Sequence, residues 1–391
     1  EGKTLAEGRA EATRAGQIFD FYAGEALRQE GIKIPSLRAG VEAEVTREPV
    51  GVVGIIAPWN FPLAIPAWKI APALAWGNTV VFKPAELVPH SALLLSRIIA
   101  AAGLPDGAFN LVMGKGSVVG QAMLDHPGIN ALTFTGPQAT GQRVAQAAVA
   151  RFPMKKVQLE MGGKNPLVVL DDADLDTAVN VALNGAFFST GQRCTASSRL
   201  IVTDGIHDRF VAALVEAMGR QVVGHALDPA TTIGPAVDES QLRQDQDYIT
   251  IGAQEGARLI AGGEAVARPT RGHFLTPALF TGAANDMRIA REEIFGPVAC
   301  VIRVPDYDSA LATANDTDFG LSSGICTTSL KHAHHFKRHS TAGMVMVNLP
   351  TAGVDYHVPF GGRRSSSLGS REQGRAAAEF YTATKTSYLA P

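Results

Sequence analysis

The chain has little of what marks secreted, membrane-bound or nucleic-acid-binding proteins. Its 391 residues include three cysteines and no CxxC pair, which argues against a disulfide framework and a structural zinc site. No apolar run reaches the ~18 residues that are needed to span a bilayer. Lysine and arginine total 35 against 37 acidic residues, so nothing favours a nucleic-acid or membrane partner. We expect a cytoplasmic protein without a metal site.

What is present is typical of a globular α/β protein. Hydrophobic residues make up 46% of the chain and charged residues 18%, and the length exceeds that of one ordinary domain. Apolar strand-like runs such as residues 51–57 and 78–83 flank helical stretches such as residues 62–76. This alternation predicts mostly parallel sheets that are covered by helices.

Two segments near opposite ends of the chain break this pattern. Residues 33–47 alternate apolar and polar side chains, which is typical of an antiparallel ribbon. Residues 382–389 are rich in threonine and have the same extended character. We expect the two segments either to pair or to form a contact between subunits.

Cys194 is the first candidate for chemistry, within the sequence Ser189-Thr-Gly-Gln-Arg-Cys194. Gly191 interrupts a helical stretch there, and a polar turn surrounds the thiol. Neighbouring Arg193 favours the thiolate, which is the nucleophilic form of cysteine. The alternative is a small buried residue, which is what most single cysteines are.

Glu160 and Asn60 follow predicted strands, where catalytic groups of α/β proteins often lie. Glu160 precedes Gly162 and Gly163, two residues that permit close backbone approach to a ligand. Its carboxylate is a candidate general base, and the alternative is a surface salt bridge. The Asn60 amide can donate to an oxyanion, whereas its position before Pro62 favours a helix cap.

The remaining motifs are weaker. Gly136 follows a strand and opens a helix, so it offers a helix N-terminus to an anion. The near-match to a dinucleotide fingerprint at residues 114–120 has one residue too many in its last gap. The GxSxG pattern at residues 320–324 precedes a strand, whereas a nucleophile elbow follows one. The histidines at residues 332–339 lack the zincin glutamate, so a solvated helix face is expected.

Six stretches, in this order and over nearly the whole chain, resemble the aldehyde dehydrogenase superfamily. They are Pro58-Trp-Asn-Phe-Pro62, Phe82-Lys-Pro-Ala-Glu86, Phe134-Thr-Gly136, Leu159-Glu-Met-Gly-Gly-Lys164, Gly191-Gln-Arg-Cys-Thr195 and Glu292-Glu-Ile-Phe-Gly-Pro297. The resemblance implies an α/β fold of two Rossmann-like parallel-sheet domains with a small β ribbon for oligomerisation. It also implies a homodimer or homotetramer that acts on a small-molecule aldehyde.

The resemblance implies a role for each matching residue. Cys194 is the implied nucleophile, Asn60 and the backbone N–H of Cys194 form the oxyanion hole, and Glu160 activates water. NAD or NADP is the implied cofactor, and both stay open because Glu86 disfavours a 2′-phosphate whereas Lys83 offsets that effect. The residues implied to bind the cofactor are Trp59, Lys83, Glu86, Gly136, Glu293 and Phe295.

The resemblance also divides the chain. Residues 1–162 are expected to form the cofactor domain, with residues 33–47 as an oligomerisation ribbon. Residues 163–378 are expected to form the catalytic domain, and residues 379–391 the carboxyl-terminal oligomerisation strand. Relatives have a longer amino-terminal portion, so part of the cofactor domain is expected to lie before Glu1.

Residues 344–362 and 371–374 most resemble α-ketoglutarate semialdehyde (2,5-dioxopentanoate) dehydrogenases. The implied reaction is NAD(P)-dependent oxidation of that aldehyde to the acid, through a thiohemiacetal and a thioester on Cys194. Three alternatives stay open: another semialdehyde such as succinate semialdehyde, a cysteine esterase, and a truncated inactive homologue. The family has serine where this chain has Pro137, so weaker cofactor binding is expected.

Overall fold

The computed structural model describes residues 1–150 and 152–391. The α-helices are α1 Leu5–Glu25, α2 Ala64–Ala75, α3 Pro89–Ala101, α4 Gln121–Asp125, α5 Gln138–Val149, α6 Leu175–Phe187, α7 Asp204–Gly219, α8 Glu239–Gln254, α9 Arg288–Arg291, α10 Tyr307–Asn315, α11 Leu330–His339 and α12 Ala378–Tyr381. The strands are β1 Ile32–Pro35, β2 Glu42–Pro49, β3 Val52–Ile56, β4 Thr79–Lys83, β5 Phe109–Leu111, β6 Ala131–Thr135, β7 Lys156–Glu160, β8 Asn165–Val169, β9 Ser197–Thr203, β10 Arg258–Ala261, β11 Ala278–Thr281, β12 Val298–Val304, β13 Ser322–Cys326, β14 Met344–Val347, β15 Ser367–Leu368 and β16 Thr382–Leu389.

The described residues form two compact units. Unit 1 consists of Glu1–Arg9, Met161–Gly353 and Gly361–Ser367. Unit 2 consists of Ala10–Glu160, Val354–Phe360 and Leu368–Pro391. Each unit has its own parallel sheet and its own hydrophobic core.

The sheet of unit 2 is built on five parallel strands in the order β7-β6-β3-β4-β5. The apolar run of β3 suits a central position, where Val53 and Ile55 are fully buried. From β3 the chain proceeds outward through β4 and β5, and then returns to β6 on the other side of β3. This reversal creates a topological switch point between β3 and β6, and α/β proteins bind ligands outside the carboxyl ends of such strands.

The two extended segments pair with each other in unit 2. β1, β2 and β16 form a three-stranded antiparallel sheet in which β2 lies in the centre. The pairing of β2 with β16 runs from Thr382 opposite Pro49 to Leu389 opposite Glu42. Pairing, one of the two arrangements that the sequence left open, is therefore present within this chain.

The sheet of unit 1 has seven strands in the order β10-β11-β12-β9-β8-β13-β14, all parallel except the edge strand β10. Successive side chains of β8 lie on opposite faces. Leu167 and Val169 pack with residues of α6 and α7, whereas Val168 packs with residues of α10 and α11. Helices therefore cover both faces, which is why the residues of β8 after Asn165 are all apolar.

The predicted α/β class and its two mostly parallel sheets are confirmed by this arrangement. The predicted strands and helices around residues 51–83 are present. Within residues 1–150 and 152–391, no helix is long and apolar enough to cross a membrane.

Candidate active site

Cys194 lies on the turn that leaves α6 and enters β9, and it is partly exposed. The backbone of this turn is left-handed at Ser189, Thr190 and Gly191, with φ of 53°, 58° and 65°. Gly191 must be glycine, because a Cβ there would overlap the carbonyl of Gly296. The candidate nucleophile therefore lies just after a tightly packed bend between a helix and a strand.

The first residue of β8 and the segment before it hold the backbone of Cys194. The Asn165 side-chain amide donates to the Cys194 carbonyl at 2.8 Å and to the Ala196 carbonyl at 2.9 Å. Gly163 lies against the Cys194 carbonyl, since a Cβ on Gly163 would stand 2.6 Å from that oxygen. Asn165 therefore supports the cysteine directly, a role that the sequence analysis did not assign.

Glu293 contacts the same segment. Its Oε1 accepts the backbone N–H of Gly163 at 3.0 Å, and a Cβ on Gly162 would overlap its carboxylate. Burial raises the pKa of Glu293 to about 7, although the hydrogen bond from Gly163 and the charge of Lys164 oppose the rise. Gly163 therefore brings Cys194 and Glu293 together within unit 1.

Phe295 lies on a turn that α8 supports. Its backbone is left-handed, with φ of 62°. At the next residue, Gly296, a Cβ would overlap the buried carboxylate of Asp245. The Gln241 amide donates to Asp245 at 2.8 Å and to the Ile294 carbonyl at 3.1 Å. Side chains of α8 thus fix the turn on which Phe295 lies.

The three segments that carry these residues enter strands rather than leave them. β8, β9 and β12 lie side by side in the sheet of unit 1, and the segments precede their amino ends. The rule that places ligands at the carboxyl ends of parallel strands does not predict this position. In unit 1 the site residues are therefore positioned by the turns that lead into the sheet.

In unit 2 the predicted site residues follow the carboxyl ends of strands. Asn60 comes after β3, and Lys83 ends β4. Gly136 comes after β6, and Glu160 ends β7. The four strands are neighbours in the sheet, and the Gly136 N–H donates to the Glu160 carbonyl at 3.1 Å. The structure therefore brings these four residues to one edge of unit 2.

Glu160 ends a chain of buried polar side chains. Gln158 Nε2 donates to the Glu160 carboxylate at 3.2 Å, and the Thr133 hydroxyl donates to Gln158 Oε1 at 2.5 Å. Lys69 Nζ donates to Thr133 at 2.7 Å and forms a short ion pair with Glu372. All five side chains are at most 3% exposed. The signals in the sequence were polar residues inside apolar elements, namely Lys69 in α2, Thr133 in β6 and Gln158 in β7.

Lys83 and Glu86 form an ion pair at 3.6 Å, in which the Lys83 side chain is buried and the Glu86 side chain is half exposed. Glu86 also accepts the N–H of Gly116 at 2.5 Å. The near-match to a dinucleotide fingerprint at residues 114–120 therefore contacts the charged pair. Such charged groups and glycine backbone are suited to the hydroxyl and phosphate oxygens of a nucleotide.

Asn60 does not cap α2, although its position before a helix favoured that interpretation. The helix begins at Ala64, and its cap residue is Leu63. Glu11 of α1 satisfies the helix start instead, because its carboxylate accepts the N–H of Leu63 at 2.8 Å and that of Ala64 at 3.0 Å. The buried Asn60 and the partly exposed Trp59 belong to the bend after β3.

The Arg193 guanidinium binds carbonyl groups at the carboxyl end of α6. It donates to the carbonyls of Asn184 and Gly185, and the Asn184 carbonyl also accepts the backbone N–H of Phe188 at the helix end. Burial lowers the pKa of Arg193 to about 10, whereas the charges of Glu7 and Cys194 raise it. The sequence predicts that this cation favours the thiolate, and the structure adds its contact with the end of α6.

Two motifs that the sequence analysis set aside have structural roles. Ser322 of the GxSxG pattern begins β13 and donates to the Thr351 carbonyl at 2.8 Å, so a strand follows it as predicted. The histidines at residues 332–339 lie on α11, the predicted helix. Across the two described ranges, no group of three or more His, Cys, Asp or Glu side chains could hold a metal ion.

Comparison with known proteins identifies the family. The model of the aldehyde dehydrogenase family matches residues 1–387. The chain belongs to the aldehyde dehydrogenase family. It is 47% identical over 395 residues to alpha-ketoglutaric semialdehyde dehydrogenase of Bacillus subtilis, across 100% of this chain and 80% of that protein. It is 46% identical to alpha-ketoglutarate semialdehyde dehydrogenase of Haloferax volcanii, across 99% of this chain and 80% of that protein.

Solved structures of aldehyde dehydrogenases have the same fold. The NAD-dependent aldehyde dehydrogenase from Sinorhizobium meliloti matches with a TM-score of 0.96 and 36% identity, across 100% of this chain and 76% of that one. Betaine aldehyde dehydrogenase from Staphylococcus aureus, in complex with NAD+, matches with a TM-score of 0.95 and 34% identity, across 99% of this chain and 76% of that one. These matches confirm the predicted family, fold class and enzyme class.

Proposed function

We propose that this chain oxidises α-ketoglutarate semialdehyde to α-ketoglutarate, with NAD or NADP as the oxidant and Cys194 as the nucleophile. The observation that carries the proposal is the pair of relatives, 47% and 46% identical, that are both named for this semialdehyde. The position of Cys194, supported by Asn165 and Gly163, agrees with a nucleophilic role.

The reaction begins when the Cys194 thiolate attacks the aldehyde carbon, which forms a C–S bond and leaves an alkoxide oxygen. The Asn60 amide and the backbone N–H of Cys194 donate to this oxygen and stabilise its charge. When bound, NAD or NADP supplies the hydride acceptor that converts the thiohemiacetal into a thioester. Water then cleaves the C–S bond, which releases the carboxylic acid and restores the thiol.

Glu160 acts as the general base for the hydrolytic step. It takes a proton from the water that attacks the thioester carbonyl. Gln158 supports this role, because its amide donates to the carboxylate at 3.2 Å and so favours one orientation of the acceptor oxygens.

The residues that would hold the cofactor are Trp59, Lys83, Glu86, Gly136, Glu293 and Phe295. The Lys83–Glu86 pair suits the adenosine ribose, because a carboxylate accepts and an ammonium donates hydrogen bonds. Gly162 leaves room for the Glu293 carboxylate, which a Cβ would overlap, and that carboxylate suits the hydroxyls of the second ribose. These residues bind and orient, whereas the hydride chemistry belongs to the cofactor.

We also propose that the enzyme is cytoplasmic and forms a homodimer or homotetramer through the ribbon sheet of β1, β2 and β16. β1 and β16 are the edge strands of that sheet, and sheet edges are ready to pair with another chain. The domain boundaries at residues 162 and 378 stay predictions. Light scattering tests assembly, with Thr386→Pro in β16 as the disrupting variant. A monomeric wild-type protein would contradict the proposal.

The activity is tested by following the absorbance of reduced nicotinamide with α-ketoglutarate semialdehyde and either NAD or NADP. We expect Cys194→Ala to abolish the signal, whereas Cys326→Ala, which removes a buried cysteine of β13, should retain it. Turnover of succinate semialdehyde alone would contradict the substrate. Ester hydrolysis without cofactor reduction would favour the cysteine esterase. A folded protein that neither binds the cofactor nor reacts would favour the inactive homologue.

A further inference from the structure

The carboxylate of Glu7 joins the start of α1 to the turn before Cys194. Towards the helix, its Oε2 accepts the Thr4 N–H at 3.2 Å and the Thr4 hydroxyl at 2.8 Å. The Glu7 N–H is 3.4 Å from the Thr4 hydroxyl, to which it donates. This reciprocal arrangement is a capping box, in which each of the two side chains accepts the backbone N–H of the other residue at the helix start.

The other oxygen of Glu7 is used 182 positions further along the chain. Oε1 accepts the backbone N–H of Ser189 at 2.7 Å and the Ser189 hydroxyl at 3.2 Å. A capping box requires only one of the two oxygens, so these contacts have no function in starting α1. They fix the first residue of the left-handed bend instead.

That bend needs external support. Ser189 and Thr190 both have positive φ, which is unfavourable for residues with a Cβ and persists only where the surroundings hold it. Thr190 is held by its hydroxyl, which donates to the Gly234 carbonyl at 3.0 Å. Ser189 is held by Glu7. Both contacts act within five residues of the thiol of Cys194.

We propose that Glu7 is a positioning residue for the nucleophile: it holds Ser189 in the left-handed conformation and thereby sets the Cys194 thiol in its reactive position. The inference rests on the proposed role of Cys194, and it adds a residue from the amino-terminal segment of unit 1. The charge of Glu7 also acts on Arg193, whose pKa it raises against the effect of burial. Glu7 therefore acts on Ser189, the first residue of the bend, and on Arg193, which directly precedes Cys194.

The experiment measures the rate at which iodoacetamide alkylates Cys194 in the native protein, with Cys194→Ala as the background. Reaction at the thiol requires neither aldehyde nor cofactor, so it reports on the bend even if the dehydrogenase activity is absent. We expect Glu7→Ala to slow alkylation about five- to tenfold. This factor corresponds to the lower end of the free-energy cost of holding one residue in a strained backbone conformation. Thr4→Ala, which removes only the capping-box side chain, should stay within about twofold of wild type.

Rescue separates positioning from simple stabilisation. Glycine adopts a positive φ at little cost, so Ser189→Gly placed in the Glu7→Ala background should restore most of the alkylation rate. Circular dichroism melting confirms that each variant is folded at the assay temperature. Equal slowing by Thr4→Ala and Glu7→Ala, unchanged or faster alkylation in Glu7→Ala, or a failure of Ser189→Gly to rescue it would each overturn the inference.

Discussion

The side-chain amide of Gln158 donates to the carboxylate of Glu160 at 3.2 Å, and both side chains are buried. The Thr133 hydroxyl donates to the other end of the Gln158 amide at 2.5 Å. This second bond determines which end of the amide faces Glu160, because only the nitrogen can donate. The proposed general base is therefore oriented by a side chain two positions earlier in its own strand.

Gln158→Leu should slow release of the product acid. Loss of a hydrogen bond to a charged group costs about 1.5–3 kcal/mol, so we expect a fall in kcat of about tenfold or more. Because only hydrolysis needs Glu160, a burst of reduced cofactor equal to the enzyme concentration should precede the slow phase. Stopped-flow absorbance measures the burst, and Gln142→Leu on the exposed face of α5 is the control. A slow phase without a burst would place the defect before the thioester.

Gly162→Ala should weaken cofactor binding. The added methyl group would overlap the Glu293 carboxylate, and Glu293 must then move from the N–H of Gly163. We expect the dissociation constant for NAD or NADP to rise at least about tenfold, since one charged hydrogen bond is at stake. Titration calorimetry measures the constant. Gly8→Ala in α1, where a Cβ meets nothing within 4 Å, should leave it unchanged.

Asp245 should make the stability of the fold depend on pH. Burial raises its pKa from 3.8 to about 7, against an opposing hydrogen bond from Gln241. Between these two values the folded protein keeps the proton and the unfolded chain loses it, so the free energy of unfolding falls as pH rises. The loss amounts to about 4 kcal/mol at most. Asp245→Asn should therefore raise Tm more at pH 8 than at pH 5.

The control for this comparison is Asp247→Asn, which changes an exposed carboxylate two positions along α8. It should leave the pH dependence of Tm as in wild type. An equal shift of Tm by Asp245→Asn at both pH values would mean that the buried carboxyl does not titrate in this window.

Pro137→Ser should tighten cofactor binding. Pro137 is the cap residue of α5, with φ of −60° and ψ of 144°, and it makes no side-chain hydrogen bond to the helix. A serine hydroxyl at this position can satisfy an N–H of the first turn, which is worth about 1 kcal/mol, and can donate to a phosphate. We expect a several-fold lower dissociation constant by titration calorimetry. Pro137→Ala, which removes the ring without adding a hydroxyl, is the control, and equal constants for the two variants would refute the prediction.

The sequence by itself determined the class of fold, and it predicted candidate reactive residues. Apolar runs bounded by glycine and proline predict buried parallel strands, because the local residue pattern governs which segments form strands and which form helices. Cys194, Glu160 and Asn60 each stand in a motif of contiguous residues, so no knowledge of packing was needed to propose them. The extended character of residues 33–47 and 382–389 was also local, whereas the structure decided that the two segments pair.

Only the tertiary structure decided which side chains support those reactive residues. Glu7, Asp245 and Glu372 stand in ordinary sequence contexts, and nothing near them in the chain indicates Ser189, Gly296 or Lys69 as their neighbours. A buried carboxylate is unfavourable unless it is paired, hydrogen-bonded or protonated. Which of these outcomes occurs depends on the elements that pack against it, and those elements lie far away in the sequence. For the same reason, the position of Cys194 at the amino ends of the strands of unit 1 became known only from the packed sheet.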